Sequence, residues 1–225
     1  MIPHDYITEW RAEAPWVADS QVEQDLVISR ALVEIFSHPA LKDALAFRGG
    51  TALYRLHLKP AARYSEDIDL VRTEAGPAGP IMDALREVLD PWLGGPRWKQ
   101  TEGRVTFAYR FDSEDRPPIP LRLKVEINTR EHFAVYLFDL ATALESPDVK
   151  PERIIESFSA YMEHEGRRVT RAQFEENLSG KLTDRQFTGD VGPLLATGFE
   201  WDIEEAAPVV SSRLITLLPG DPWKG

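Results

Sequence analysis

Cysteine is absent from this chain of 225 residues. Its absence excludes disulfides, thiolate metal sites and cysteine nucleophiles, and it suits a reducing compartment. Long hydrophobic runs are also lacking, since no stretch approaches the roughly 18 consecutive apolar residues of a membrane-spanning helix. The opening MIPHDYITEW lacks the basic and then apolar run of a secretory signal peptide. We therefore expect a cytoplasmic protein that has no membrane partner.

Positive charge is in short supply, with 26 Lys and Arg against 37 Asp and Glu and a net charge of −11. A chain this acidic does not coat nucleic acid, so any contact with phosphates must be local. The candidate for a local contact is a basic stretch formed by Arg97, Lys99, Arg104, Arg110, Arg116, Arg122, Lys124 and Arg130. The alternative is that these are outward-facing strand residues balanced by nearby carboxylates.

The hydrophobic pattern divides the chain into two parts. Helical spacing predicts a helix over 20–37, opened by a Ser20–Glu23 capping box. Further elements are predicted as helices from Thr51 and over 82–93, and as strands over 68–71, 104–111 and 121–128. Beyond these, helices are predicted over 134–145, 151–164, 170–182, 187–197 and 202–217. We expect an α+β fold, with a mixed core over 1–133 and a helical domain over 134–225.

Three carboxylates stand out within the strand segments. Asp67 and Asp69 are two residues apart, so a strand places both on one face. Carboxylates so placed can share hard cations, as in two-metal phosphoryl-transfer sites. Glu126 lies on the polar face of LRLKVEIN and can supply the third carboxylate, with Lys124 on the same face able to contact a phosphate. These residues predict a site for Mg²⁺ or Mn²⁺.

Upstream of the aspartates, Gly49 and Gly50 precede a predicted helix. Backbone N–H groups at the positive end of a helix suit a phosphate. Thr51 or Ser65 can add a hydroxyl donor. Each feature alone is common in proteins without such a site, because Asp-x-Asp is often a solvated strand end and Gly-Gly is often only a turn. Their order along the chain is the more specific signal.

The segments FRGGTALYRLHLKPAARYSEDIDLV and LRLKVEINTRE resemble the AbiEii/AbiGii toxin family of nucleotidyltransferases, and the resemblance extends into the helical tail. The family implies a DNA-polymerase-β-like nucleotidyltransferase core, a nucleoside triphosphate (NTP) substrate with Mg²⁺, and an antitoxin encoded by a neighbouring gene. For some members it implies transfer of nucleotides to the 3′ end of tRNA. On this resemblance, the nucleotide and metal positions are filled by Gly49, Gly50, Ser65, Asp67, Asp69 and Glu126.

The chain departs from the family pattern between Tyr136 and Leu137. Relatives continue for about forty residues after the strand that corresponds to VEINTREHF, through a lysine that faces the triphosphate and an Arg-Asp pair. Here EHFAVY runs directly into LFDL, so that of this neighbourhood only Asp139 remains. Three cations could substitute for the lysine: Lys124, Lys59 and Arg63, of which the last two lie in a loop expected to be flexible.

Three functions remain open at this stage. The first is a metal-dependent nucleotidyltransferase toxin that transfers NMP from NTP to RNA, with Asp67, Asp69 and Glu126 as its metal ligands. The second is a degenerate, catalytically weak member of the same fold that still binds nucleotide. The third is a two-metal phosphohydrolase, which the lack of histidine near the aspartates disfavours.

Overall fold

A computed structural model of the chain describes residues 2–14, 16–128, 137–164, 166–189 and 191–220. These residues form two compact units. The first contains the described residues up to 128 together with 195–199, and the second contains 137–194 and 200–220. The segment 195–199 rejoins the first unit through a bridge between Arg63 and Leu195 and a hydrogen bond from the Ala196 N–H to the Ala62 carbonyl.

The first unit is a mixed α/β structure. Its helices are α1 (His4–Trp10), α2 (Asp19–Ser37), α3 (Pro39–Lys42), α4 (Gly49–Leu56) and α5 (Gly79–Leu93). Its strands are β1 (Leu45–Arg48), β2 (Asp67–Arg72), β3 (Arg97–Thr101), β4 (Arg104–Asp112) and β5 (Pro120–Asn128). They form one sheet in the order β1-β2-β5-β4-β3, in which β2 and β5 run parallel and the other neighbours run antiparallel.

One face of the sheet is apolar and carries the core. Alternation places Ile68 and Leu70 on it from β2, and both are fully buried. From β5 the same face receives Leu123 and Val125, also fully buried, as the alternating pattern predicts. Helices α2 and α5 pack here, α2 against β2 and β5 and α5 against β4. The opposite face of β2 and β5 carries mainly polar side chains, with Val71 as an apolar member.

The start of α2 differs from the sequence expectation. The N-cap is Ala18, whose N–H donates to the Gln21 side chain at 3.1 Å, so the Ser20–Glu23 capping box is wrong. Glu23 instead lies buried at 1% exposure and accepts a hydrogen bond from the Glu114 N–H at 2.8 Å. Glu23 therefore takes part in tertiary packing and does not cap the helix. Burial raises the pKa of its carboxyl group.

The strand β3 was not predicted. All of its residues are exposed, so no buried alternation marks the segment in the sequence. It forms because Arg97–Thr101 pairs antiparallel with β4, which places it at the edge of the sheet.

The second unit is helical. Its elements are α6 (Leu137–Glu145), α7 (Pro151–His164), α8 (Arg171–Leu182), α9 (Arg185–Gly189), α10 (Ile203–Arg213) and two 3₁₀ turns at Gly192–Leu194 and Ile215–Leu217. Its core gathers apolar residues such as Leu144, Val210 and Ile215. Thr170 caps α8 as predicted, accepting from the Gln173 N–H at 3.4 Å.

One predicted helix of this unit is wrong. The segment 187–197 does not form a continuous helix, because α9 ends at Gly189 and only a 3₁₀ turn follows at Gly192–Leu194. Glycine and proline in this stretch disfavour helix propagation.

Within the described parts of both units, no helix is long and apolar enough to cross a membrane.

Leu123→Ala tests the assignment of the sheet faces. Leu123 is fully buried on the apolar face, so its truncation should lower the free energy of unfolding by about 2–5 kcal/mol. Its neighbour Arg122 is exposed, and Arg122→Ala should change stability by less than about 0.5 kcal/mol. Urea unfolding followed by circular dichroism measures both variants. Similar costs for the two substitutions would contradict the assignment.

Candidate active site

The polar face of β2 and β5 brings the three predicted carboxylates together. In the parallel pairing, Asp69 lies directly opposite Glu126, and Asp67 lies directly opposite Lys124. Paired residues of neighbouring strands lie about 5 Å apart and point to the same face. The register therefore places Glu126 beside the aspartates. The spacing of these residues in the sequence could not establish this proximity.

Lys124 forms the electrostatic bridge of this site. Its Nζ donates a hydrogen bond to Asp67 Oδ2 at 2.9 Å and lies 3.5 Å from Glu126 Oε2. Burial acts to lower the pKa of Lys124, but the hydrogen bond to Asp67 and the surrounding carboxylates outweigh it and raise that pKa. The ammonium group thus lies between two of the three carboxylates.

Glu126 has two further neighbours on the sheet. Arg104 Nη1 of β4 lies 3.7 Å from Glu126 Oε1, and Asn128 Nδ2 donates to the same oxygen at 3.2 Å. Its side chain is only 13% exposed. Glu126 is therefore held by cations and an amide on a partly desolvated surface.

Asp69 is enclosed from the side of β1 and α4. A Cβ added to Gly49 would lie 2.5 Å from Asp69 Oδ2, so only glycine permits this approach of backbone to carboxylate. Gly49 also has φ of +76°, which side chains rarely adopt. Burial raises the pKa of Asp69, the charge of Arg48 opposes that rise, and Asp67 and Glu126 add to it.

Two predicted phosphate-binding hydroxyls have a structural role. Thr51 Oγ1 donates to the Asp67 carbonyl at 2.7 Å and contacts the Ser65 hydroxyl closely. Thr51 is buried, and these contacts tie the first turn of α4 to the beginning of β2. The helix starts at Gly49, two residues earlier than expected, so both Gly49 and Gly50 belong to its first turn.

The donor set fits a divalent cation. Asp67 Oδ1 is buried without a hydrogen-bond partner, and a carboxylate oxygen in that position is suited to a metal ion. The hard oxygen ligands of Asp67, Asp69 and Glu126 match the preference of Mg²⁺ and Mn²⁺. Within the described ranges, no three acidic or histidine side chains already converge into a metal cage. Lys124 lies between Asp67 and Glu126, so we expect this side chain to move when a cation binds there.

The structure also distinguishes the cations near the site. Arg63 was expected in a flexible loop, but it is buried and stacks over the Tyr54 ring at 5.5 Å, so it is not an open phosphate ligand. Sequence reasoning missed Arg48, which lies directly opposite Asp69 in the antiparallel β1–β2 pair. Its position next to Gly49 was visible, but its strand register was not. The junction between Tyr136 and Leu137 lies partly outside the described residues.

Comparison with known proteins gives a family match and a likeness of fold. Residues 30–136 match the family described as Nucleotidyl transferase AbiEii toxin, Type IV TA system. No curated protein matches the chain significantly. Among solved structures, the chain is similar to MenT4, the nucleotidyltransferase toxin Rv2826c from Mycobacterium tuberculosis H37Rv, at a TM-score of 0.50 and 15% identity, covering 100% of this chain and 92% of that one.

A crystal structure of JHP933 from Helicobacter pylori is also similar, at a TM-score of 0.47 and 16% identity, covering 89% of this chain and 92% of that one. At 15% identity, the likeness to MenT4 is one of fold. The expected α+β nucleotidyltransferase architecture with a helical C-terminal region is confirmed.

Gly49→Ala tests the contact with Asp69. The substitution combines a left-handed backbone with a Cβ 2.5 Å from Asp69 Oδ2, so unfolding free energy should fall by at least about 1–2 kcal/mol. Gly79→Ala is the matched control, because a Cβ there meets nothing within 4 Å and its φ is not positive. The control should be neutral or slightly stabilising. Equal melting temperatures for the two variants would argue against the close approach.

Proposed function

We propose, from the match of residues 30–136 to the AbiEii nucleotidyltransferase toxin family, that Asp67, Asp69 and Glu126 hold divalent cations and that the protein transfers NMP from NTP to an RNA acceptor. The 3′ end of tRNA is the acceptor we assign. The observation that carries this proposal is the parallel register that sets Asp69 opposite Glu126. This register places carboxylates from two strands on one face of the sheet. A two-metal phosphoryl transfer requires carboxylates that converge in this way.

The reaction is a displacement at the α-phosphorus of the NTP. The acceptor hydroxyl oxygen forms a bond to that phosphorus, and the bond to the β-phosphate bridging oxygen breaks. Pyrophosphate leaves, and the hydroxyl proton passes to Glu126, the carboxylate we assign to the acceptor side, and then to solvent. Bound Mg²⁺ or Mn²⁺ would supply charge neutralisation for the triphosphate and the leaving pyrophosphate.

The chain's own residues orient the triphosphate. Gly49 and Gly50 begin α4, whose N–H groups present the positive end of the helix to anions. Ser65, joined to Thr51, adds a hydroxyl beside that turn. We assign Lys124 to the phosphates as well, because its ammonium is already at the carboxylates and can turn from them to a bound nucleotide.

The biological setting follows from the family. A toxin of a type IV toxin–antitoxin system implies an antitoxin partner and an NTP substrate. We propose that the antitoxin is encoded by a neighbouring gene and that both proteins act in the cytoplasm. Abortive infection is the context we assign to the pair.

A degenerate, nucleotide-binding protein is the second candidate. The family match ends at residue 136, and the missing triphosphate lysine belongs to the segment expected beyond it. Lys124 is the cation best placed to substitute, and it is engaged with Asp67 and Glu126. On this alternative, metal and nucleotide would bind but transfer would be weak. Sequencing the gene across codons 136 and 137 tests whether the junction is natural.

Transfer of labelled NTP to total tRNA tests the main proposal. The chain should label tRNA, and Asp69→Asn should lower the rate at least about 100-fold, since preorganised electrostatic groups at phosphoryl-transfer centres contribute about that much. Asp83→Asn is the control, because Asp83 is exposed on α5, which packs on the apolar face of the sheet and not on the carboxylate face. NTP binding without any labelling would favour the degenerate alternative, and labelling that survives Asp69→Asn would refute the assigned site.

Lys124→Met tests the role of the bridging ammonium. Removing this cation leaves Asp67 and Glu126 without the positive charge that bridges them, so Mn²⁺ should bind several-fold more tightly in the absence of nucleotide. The affinity for NTP should fall, because a phosphate ligand is lost. Isothermal titration calorimetry measures both, and Lys124→Arg is the control that retains the charge. Unchanged Mn²⁺ affinity in Lys124→Met would show that Lys124 does not compete with metal.

A further inference from the structure

The polar face of the sheet continues from the carboxylates to an exposed basic area. Lys99 of β3 pairs with Thr106 of β4, and Thr106 pairs with Glu126 of β5. Directly paired residues share a face, so Lys99 faces the same side as Glu126, two strand spacings or about 10 Å away. By the same pairing, the basic sheet face comprises Arg97, Lys99, Arg110 and Arg122.

These four residues are all exposed, and none of them forms an ion pair with a described residue. In the described part of the chain, none of the four has a carboxylate within salt-bridge distance, although Glu66 and Asp112 lie in the cleft beside Arg110 and Arg122. Arg110 and Arg122 are themselves directly paired. Like charges directly opposite each other on neighbouring strands are destabilising. Among the described residues, direct ion pairs therefore do not account for this set.

The strand between the basic sheet face and the carboxylates carries small side chains. Thr106 and Ala108 are the β4 residues that lie between β3 and β5 on this face. Their side chains are small and partly exposed, so neither places a bulky group between Lys99 or Arg97 and the carboxylate strand. Arg104 borders this path at the other end and already lies 3.7 Å from Glu126. A chain crossing the sheet would reach the carboxylates with cations on both sides.

We infer that the basic sheet face binds the phosphate backbone of the acceptor nucleic acid and leads its 3′ end to Glu126. The inference rests on the proposed function, whose acceptor it places on the molecule. The four cations repel one another locally, and an anionic partner would offset that repulsion. On a chain with a net charge of −11, this cluster is the local exception that a polyanion can contact. Its continuity with the carboxylates favours the acceptor over a partner bound elsewhere. Phosphates in series match cations spread over three strands.

Binding of a labelled single-stranded RNA oligonucleotide, followed by fluorescence anisotropy at several salt concentrations, tests this inference. The double variants Arg97→Gln/Lys99→Gln and Arg110→Gln/Arg122→Gln should each bind several-fold more weakly than the unsubstituted protein. The slope of log affinity against log salt should fall by about 1.4, because each lost phosphate contact with a single strand removes about 0.7. In transfer assays both variants should raise the KM for RNA, and calorimetry should show their NTP affinity unchanged.

The matched control is Lys42→Gln/Arg86→Gln, which removes the same charge from exposed positions on α3 and α5. If the sheet-face variants bind RNA as tightly as this control, the inference is wrong while the proposed chemistry stands. If they lose affinity for an acidic antitoxin but not for RNA, the surface belongs to a protein partner and the inference is also wrong. Asp69→Asn distinguishes failure of the proposed chemistry from failure of the RNA-binding inference, because it should lower transfer at least about 100-fold and retain RNA affinity.

Discussion

The parallel pairing of β2 with β5 is the interaction on which the site depends. The two strands are distant in sequence, and their register is set by apolar side chains that must all enter the same core. Ile68 and Leu70 point into that core from one strand and Val125 from the other. A register shift of one residue would turn a whole apolar row towards solvent, which the hydrophobic free energy strongly disfavours. The meeting of Asp69 with Glu126 is thus a consequence of core packing on the opposite face.

The resulting concentration of negative charge is tolerated because cations surround it. Lys124 contacts two carboxylates, Arg104 approaches Glu126, and Arg48 lies opposite Asp69. Even so, burial leaves the pKa of Asp69 raised, since desolvation outweighs the neighbouring arginine. This arrangement lowers the stability of the fold, because the carboxylates repel one another and are partly desolvated. A bound cation would reduce that repulsion. That property is expected of a ligand site and is costly in a purely structural one.

The sequence predicted those features that depend on local pattern. Alternation located β4 and β5 and placed Glu126 on the polar face, because each strand buries one row of side chains. The pattern missed β3, since an edge strand exposed at every position carries no alternation. It missed Arg48 and the contact between Gly49 and Asp69, because both arise from pairing between strands. It also assigned Glu23 to a helix cap, where tertiary packing instead buries it.

The alternation in β5 constrains how the gene can change length. Deleting or inserting one codon between Leu121 and Asn128 would exchange the two faces for every residue beyond it, sending Glu126 into the core and Val125 to the surface. The connection over 113–119 joins two strands outside their paired region, so it can absorb single-codon changes without altering either row. Natural relatives should therefore vary in length at this hairpin while keeping the parity of the strands on both sides.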